Sequence, residues 1–330
     1  MQRREFITLL SGAMAVWPRA ARARRTGSMS KVGVLMAVAE SSPENQARIA
    51  AFRQGFADLG WKDGQNIQIE YRWAAGKIEL IQQYCKELVA LAPDVILAHS
   101  TPVVEELKKI TKSIPIVCAL VNDPVGLGFV KTLSHPGGNI TGFTFINAEL
   151  IGKWIGLLKD VTPGFTQAVV MYNPKTTPFY RNFLREIEAA QQLGASELTA
   201  TLVETAGEIE TAITNLAERP GSGLIIGPDP FTNAHLKQIA QLARQKRLPA
   251  ISVHQQFAIE GGLMAYGPDT ADIFRRSAAY VDRILKGANP ADLPVQQPTK
   301  FEFIVNLKTM QSFGLSVPPA LLSTADQLIE

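Results

Sequence analysis

The strongest constraint on the fold is an alternation of short β-branched runs with longer helical patterns along most of the chain. Such alternation predicts βαβ units, because a helix has to cross over between neighbouring parallel strands. Two of the strand runs, VILA and IPIVCALV, are apolar throughout, which is typical of strands that helices cover on both faces. The first series predicts strands at 31–38, 66–73, 95–99 and 114–121 and helices at 43–59, 77–91 and 103–111.

The alternation restarts after a glycine-rich stretch at 135–142. The second series predicts helices at 148–159, 179–193, 208–218 and 232–246 and strands at 167–172, 195–203, 223–226 and 249–253. A short strand at 261–266, a helix at 272–286 and a strand at 301–307 complete the pattern.

The chain has 330 residues, about twice a typical single-domain length. We therefore predict an α/β protein of two doubly wound parallel-sheet lobes joined by a hinge, with a cleft between them. Crossings between the lobes are expected at about 139–143, 261–262 and 289–298. The predicted lobes are 30–141 plus 262–288 and 142–261 plus 289–330.

The first 23 residues have the pattern of a cleavable export signal. Arg3 and Arg4 precede a short apolar run, and the small-residue exit Ala21-Arg22-Ala23 follows. The run is too short to span a membrane, which needs about 20 residues. The paired arginines also fit a twin-arginine leader, so the general secretory and twin-arginine routes both remain open. The mature protein is predicted to work in the periplasm.

The net charge of +3 lies in this leader, where Arg3, Arg4, Arg19 and Arg22 oppose Glu5. The remaining chain is formally neutral, so composition gives no indication of a nucleic-acid partner. The two cysteines, Cys85 and Cys118, are too few for a disulfide framework or a zinc site, and the sequence does not decide whether they pair.

Ligands of open parallel sheets bind beyond the carboxyl ends of the strands, so the residues there are the candidate site. His99, Ser100 and Thr101 supply an imidazole, two hydroxyls and a helix start that suit an anion. Asn122, Asp123 and Asp229 supply amide and carboxylate groups for a donor or cation. Four aromatic residues near strand ends would form a flat apolar slot: Phe143, Tyr172, Phe231 and Tyr266. Helix capping, a backbone-bonded histidine and core packing explain the same residues equally well.

Catalytic and cofactor motifs are missing from the sequence. It contains no G-x-S-x-G nucleophile elbow, no G-x-x-x-x-G-K-[ST] phosphate loop and no G-x-G-x-x-G after the first strand. The four histidines fall at no metal-binding spacing. We predict a binding protein without a cofactor or metal rather than an enzyme.

Several motifs carry a family resemblance that covers essentially the whole mature chain. They are VGVLM in the first strand, FRQGF with LGW, the turns Asp123-Pro124-Val125 and Tyr172-Asn173-Pro174, GNITG, GGL with Tyr266-Gly267, and NLKT with Gly314-Leu315. This set resembles exported substrate-binding proteins of ABC transporters with the type-I periplasmic-binding fold, in the branch that includes tryptophan-binding members. The resemblance implies a monomeric clamshell that closes on a small solute and presents it to permease subunits in the inner membrane.

The resemblance also implies that Ser100-Thr101-Pro102 grips a solute carboxylate. Two segments depart from the pattern of the relatives: 227–231 (GPDPF) replaces a Thr-Asp-Asn type of turn, and 141–145 (TGFTF) is bulkier than usual. The predicted solute is an amino acid, an aromatic compound or another carboxylate. A ligand-sensing partner of a membrane receptor and an exported hydrolase or isomerase remain the alternatives.

Overall fold

The computed structural model of the protein describes residues 29–146, 148–177, 197–316 and 318–330. The export signal predicted for 1–23 and the helix predicted for 179–193 lie outside the described residues. No helix in the described part is long and apolar enough to cross a membrane.

The first sheet has five parallel strands in the order β2-β1-β3-β4-β5. Strands β3 and β4 are buried along their whole length, as their continuous apolar sequences predict. The strands are β1 (Ser30–Met36), β2 (Ile67–Trp73), β3 (Val95–His99), β4 (Ile116–Val121) and β5 (Ile140–Thr144), and the connecting helices are α1 (Pro43–Asp58), α2 (Ile78–Ala90) and α3 (Thr101–Ile110).

The second sheet has seven strands in the order β12-β11-β10-β9-β8-β6-β7, and all its pairs are parallel except β10 with β11. Its strands are β6 (Gln167–Tyr172), β7 (Glu197–Leu202), β8 (Ser222–Ile226), β9 (Ala250–Ser252), β10 (Met264–Pro268), β11 (Phe301–Asn306) and β12 (Gln327–Ile329). The helices from this point in the chain are α4 (Ala148–Val161), α5 (Ala206–Ala217), α6 (Pro230–Ala234), α7 (Leu236–Gln245), α8 (Gln255–Ile259), α9 (Thr270–Leu285), α10 (Leu307–Phe313) and α11 (Pro319–Thr324). Two sheets with helices on their faces confirm the predicted two-lobed α/β fold.

Helix α9 returns the chain to the first sheet, where it packs along α1 and against β3 and β4. The side chain of Asp269 caps its first turn by accepting a hydrogen bond from the Asp272 N–H at 2.9 Å. At its other end, Trp61 Nε1 donates to Asp282 Oδ1 at 2.9 Å. The first lobe is therefore completed by a helix that lies far along the sequence.

The pairing of β5 and of β10 differs from two expectations about where the chain passes between the lobes. Residues 139–143 were expected to leave the first lobe, but β5 pairs with β4 inside the first sheet. Gly142 has φ 137°, and a Cβ there would lie 2.1 Å from the Cys118 carbonyl oxygen, so this glycine allows a close strand pairing rather than a crossing. Residues 262–268 were assigned to the first lobe, whereas β10 pairs with β9 and β11 of the second sheet.

Candidate ligand-binding site

A narrow cleft lies beyond the carboxyl ends of strands from both sheets. Its space is about 330 Å³, a volume that includes open solvent. The lining residues are Val38, Arg48, His99, Ser100, Leu120 and Asn122 on one side, Pro228, Asp229, Pro230, Asn233 and His254 on the other, and Phe145 after β5. The rule that ligands bind at strand ends therefore locates this cleft.

The two sides of the cleft touch each other. Gly76 follows β2, and a Cβ there would lie 3.0 Å from the Pro230 carbonyl oxygen and 3.6 Å from the Ala234 Cβ. Glu44 Oε1, on α1, lies 3.3 Å from His254 Nδ1, which follows β9. The clamshell is thus in a closed arrangement.

His99 and Ser100 place hydrogen-bond donors on the first side of the cleft. The Ala37 N–H donates to His99 Nδ1 at 3.3 Å, so the proton of the neutral imidazole is on Nε2. Burial, together with the positive charge of Arg48, holds the pKa of His99 well below its ordinary value. His99 is therefore a neutral donor.

Ser100 precedes α3 in a strained conformation, with φ 79°. Its hydroxyl has no hydrogen-bond partner within the described part of the chain. The first N–H groups of α3 also lack intrahelical acceptors. The Ser100 hydroxyl, the His99 imidazole and the first N–H groups of α3 can together hold a carboxylate.

Asn122 lies next to this donor set, and Thr101 supports it from behind. The Asn122 N–H donates to Thr101 Oγ1 at 3.1 Å, and Asn122 Oδ1 accepts from the Ile146 N–H at 3.3 Å. This leaves the Asn122 amide NH₂ for a ligand. Thr101 is buried behind the cleft, and Asp123 is exposed, where its side chain accepts from the Gly126 N–H at 2.8 Å. The structure brings neither of these two to the lining.

Asp229 supplies a carboxylate on the second side. It accepts hydrogen bonds from the Asn173 N–H at 2.7 Å, from the Phe231 N–H at 2.9 Å and from the Thr176 hydroxyl. The Thr232 N–H also interacts with this carboxylate, so what Asp229 offers a ligand at the cleft is its negative charge. Burial raises the pKa of Asp229 above its ordinary value, and these hydrogen bonds offset only part of that effect.

The predicted aromatic slot is not assembled at the cleft. Phe143 is buried against Tyr280, with ring centroids 4.9 Å apart, and Tyr172 lies in the core. Phe231 packs on His235 at 4.5 Å, and Tyr266 stacks on Phe301 at 5.9 Å. None of the four lines the cleft; the aromatic side chain that does is Phe145.

A buried charged cluster on α1 was missed by the sequence analysis. Arg48 is 1% exposed and forms an ion pair with Glu44. Its guanidinium also donates to Asn45 Oδ1 at 2.7 Å and to Thr270 Oγ1 at 3.0 Å. Burial would raise the pKa of Glu44, but the charge of Arg48 and the interaction with His254 outweigh it and lower that pKa to about 2. The four-residue spacing of Glu44 and Arg48 indicates an ion pair, but its burial depends on tertiary packing, including that of α9 on α1.

No metal centre is formed by the described residues, which contain no group of three or more His, Cys, Asp or Glu placed to hold an ion. Cys85 and Cys118 are both buried and unpaired. Burial raises the pKa of each thiol to about 12. Neither cysteine lines the cleft.

Known proteins are similar to this chain along most of its length. A family model described as ABC transporter substrate binding protein matches residues 31–329. A tyrosine-binding protein of Clostridioides difficile (strain R20291) is 25% identical over 301 residues, which cover 88% of this chain and 84% of that protein.

Two solved structures are similar to this chain along most of its length. An ABC domain from Streptococcus pneumoniae in complex with L-Trp is 26% identical with a TM-score of 0.82, covering 92% of this chain and 100% of that one. The ligand-free, open structure of a substrate-binding protein with adhesive properties from Clostridium difficile is 24% identical with a TM-score of 0.68, covering 92% and 99%.

Proposed function

The chain belongs to the ABC transporter substrate-binding protein family, and we propose that the solute it captures is an L-amino acid with an aromatic side chain. The main observation behind this proposal is that hydrogen-bond donors line one side of the cleft and a carboxylate lines the other. Donors at His99 and Ser100 face an acceptor at Asp229, and an α-amino acid has a carboxylate and an ammonium group to satisfy both.

The apolar part of the cleft supports the choice of side chain. Val38, Leu120, Phe145 and the two prolines of the 228–230 turn contribute its walls, and flat apolar surfaces suit an aromatic ring. The L-Trp complex of the pneumococcal protein and the tyrosine-binding relative add weight to this class of ligand.

The closed cleft also supports a hinge mechanism. We propose that the first lobe comprises about 30–144 and 270–296 and the second about 148–268 and 301–330, because the sheets and the α1–α9 packing divide there. Three connecting segments would then act as the hinge, and their small backbone rotations would open the cleft.

The protein is proposed to act as a periplasmic monomer that delivers its solute to permease subunits and catalyses no reaction. Its leader sequence supports export. Membership in a family of substrate-binding proteins supports the absence of catalysis. Cell fractionation tests the location, and unchanged solute recovered after incubation with the purified protein tests the absence of turnover.

The binding proposal is tested by calorimetry and thermal shift with L-tryptophan, L-tyrosine, L-phenylalanine and L-leucine. Two truncated analogues are included: tryptamine, which lacks the carboxylate, and indole-3-propionate, which lacks the ammonium group. An aromatic L-amino acid at 100 times its dissociation constant is expected to stabilise the protein by about 2.7 kcal/mol. Both truncated analogues are expected to bind at least about tenfold more weakly, because each leaves one side of the cleft unpaired.

The carboxylate subsite is tested with Ser100→Ala and a matched control, Ser134→Ala, which changes an exposed loop serine. Ser100→Ala is expected to weaken every amino-acid ligand about fivefold to tenfold, and the control is expected to bind normally. Binding of tryptamine as tightly as tryptophan, or equal affinity in both variants, would contradict the proposed orientation. A strong response to another solute with none to aromatic amino acids would overturn the proposed ligand class.

A further inference from the structure

His254 presents an unused nitrogen at the cleft. The residue is 5% exposed and lines the cleft beside Phe145, with ring centroids 6.1 Å apart. Among the buried side-chain nitrogen and oxygen atoms of the described chain, His254 Nε2 and Thr162 Oγ1 lack a hydrogen-bond partner. A buried polar atom without a partner destabilises the structure that contains it, so an atom of this kind in a binding cleft points to a ligand.

The other ring nitrogen decides the chemistry of Nε2. His254 Nδ1 lies 3.3 Å from Glu44 Oε1, and Glu44 is held as a carboxylate by the ion pair with Arg48. A carboxylate only accepts hydrogen bonds, so Nδ1 must carry the proton. In a neutral imidazole the second nitrogen then has a free lone pair. In this neutral form, His254 Nε2 is an acceptor.

We propose that His254 Nε2 accepts a hydrogen bond from the side chain of the ligand, and so selects aromatic amino acids that carry an N–H or O–H group over those that do not. This inference rests on the proposed function. The ammonium group of such a ligand has its own partner in Asp229, on a separate element, while His254 lies beside the aromatic wall formed by Phe145. An indole N–H or a phenol O–H satisfies the acceptor, and a phenyl ring leaves it unpaired.

Glu44 and Arg48 act as positioning residues in this arrangement. Glu44 belongs to the first lobe and His254 follows β9 of the second sheet, so the carboxylate reaches the imidazole only in the closed clamshell. Closure therefore determines which nitrogen of His254 carries the proton. His254 discriminates between ligands in the closed state. Arg48, which Asn45 and Thr270 hold in place, fixes the carboxylate.

Two substitutions of His254 separate the roles of its nitrogens. In His254→Asn the amide can still donate to Glu44 from near the Nδ1 position, but no atom reaches the Nε2 position. In His254→Gln the amide oxygen can occupy the Nε2 position, so the acceptor is kept. The two variants thus carry the same amide group and differ by one methylene, which decides whether an acceptor reaches the Nε2 position.

The measurement is the ratio of dissociation constants for paired ligands that differ in one donor, determined by calorimetry. One pair is L-tryptophan and 3-benzothienyl-L-alanine, in which sulfur replaces the indole N–H; the other is L-tyrosine and L-phenylalanine. The unaltered protein is expected to prefer the donor-bearing member of at least one pair by about tenfold or more. His254→Asn is expected to reduce that ratio to about one, and His254→Gln to keep most of it.

The possible results distinguish this inference from the proposed function. Equal affinity for both members of each pair, or an unchanged ratio in His254→Asn, overturns the role of His254 while the aromatic amino acid remains the ligand. Failure of all four compounds to bind overturns both. A general loss of affinity with the ratio preserved assigns His254 a purely structural role, which also contradicts the inference.

Discussion

Replacing Glu44 with glutamine removes the negative charge of the buried cluster while keeping the shape of the side chain. Arg48, which is 1% exposed, then loses its anionic partner, and His254 loses the carboxylate beside Nδ1. Removing one partner of a buried ion pair leaves an uncompensated charge, which is more costly than removing the whole pair.

The pKa of Glu44 gives the size of the effect. Burial opposes ionisation, but the charge of Arg48 and the interaction with His254 lower the pKa from 4.5 to about 2. Each factor of ten in a proton equilibrium is worth about 1.4 kcal/mol, so ionised Glu44 contributes about 3 kcal/mol to the stability of the closed form. Because the folded pKa is the lower one, this contribution is complete above about pH 5 and is lost as the pH falls towards 2.

Urea unfolding at several pH values measures this contribution. The difference between the unaltered protein and Glu44→Gln is expected to be about 3 kcal/mol at pH 7 and about half of that at pH 3. Glu105→Gln, which removes a surface pair with Lys109 at 3.9 Å, is the control and is expected to cost less than about 0.5 kcal/mol. Adding Arg48→Met to Glu44→Gln is expected to recover stability, because the unpaired charge is removed with its partner. A difference below about 1 kcal/mol at pH 7, or one that does not change with pH, would refute the reasoning.

Four further outcomes are expected. In calorimetry, Asp229→Asn weakens the binding of aromatic amino acids by about tenfold or more but changes the binding of indole-3-propionate little, and equal losses for both ligands would contradict the ammonium role of Asp229. Because the pKa of Asp229 is raised, binding to the unaltered protein weakens at a higher pH during acidification than it would with an ordinary aspartate. Gly142→Ala destabilises by about 2 kcal/mol or more in urea, since the added Cβ would meet the Cys118 carbonyl; wild-type stability would exclude that close approach. Gly76→Ala weakens ligand binding more than the surface change Gly152→Ala, because the added methyl presses on Pro230 across the closed cleft; identical affinities would argue against closure at this point. Cys85 and Cys118, whose thiols have pKa values raised to about 12, resist a thiol reagent at pH 8 until urea is added, and rapid labelling of the native protein would contradict their burial.

Part of the site follows from local sequence, because a strand and the turn after it place their residues at a known edge of the sheet. His99, Ser100, Asn122 and Asp229 were singled out on that ground, and the structure gathers all four around one cleft. The rule requires no knowledge of the partner lobe, since it depends only on the direction of parallel strands.

The aromatic residues show the limit of that rule. Phe143, Tyr172 and Tyr266 lie inside β5, β6 and β10 rather than beyond them. A side chain within a strand points to one face of the sheet and packs against the elements that cover it. Phe145, just past the end of β5, is the aromatic residue that reaches the cleft.

The sequence by itself determined the two α/β series, the strands that are covered on both faces and the edges at which a ligand can bind. These depend on periodicity and on turn residues, which act over a few positions of the chain. The tertiary structure decided that β5 and β10 belong to sheets, that α9 buries Arg48 against α1, and that Glu44 meets His254 across the cleft. Those contacts join residues up to 222 positions apart, and burial and charge at such distances arise only once the two lobes have packed and closed.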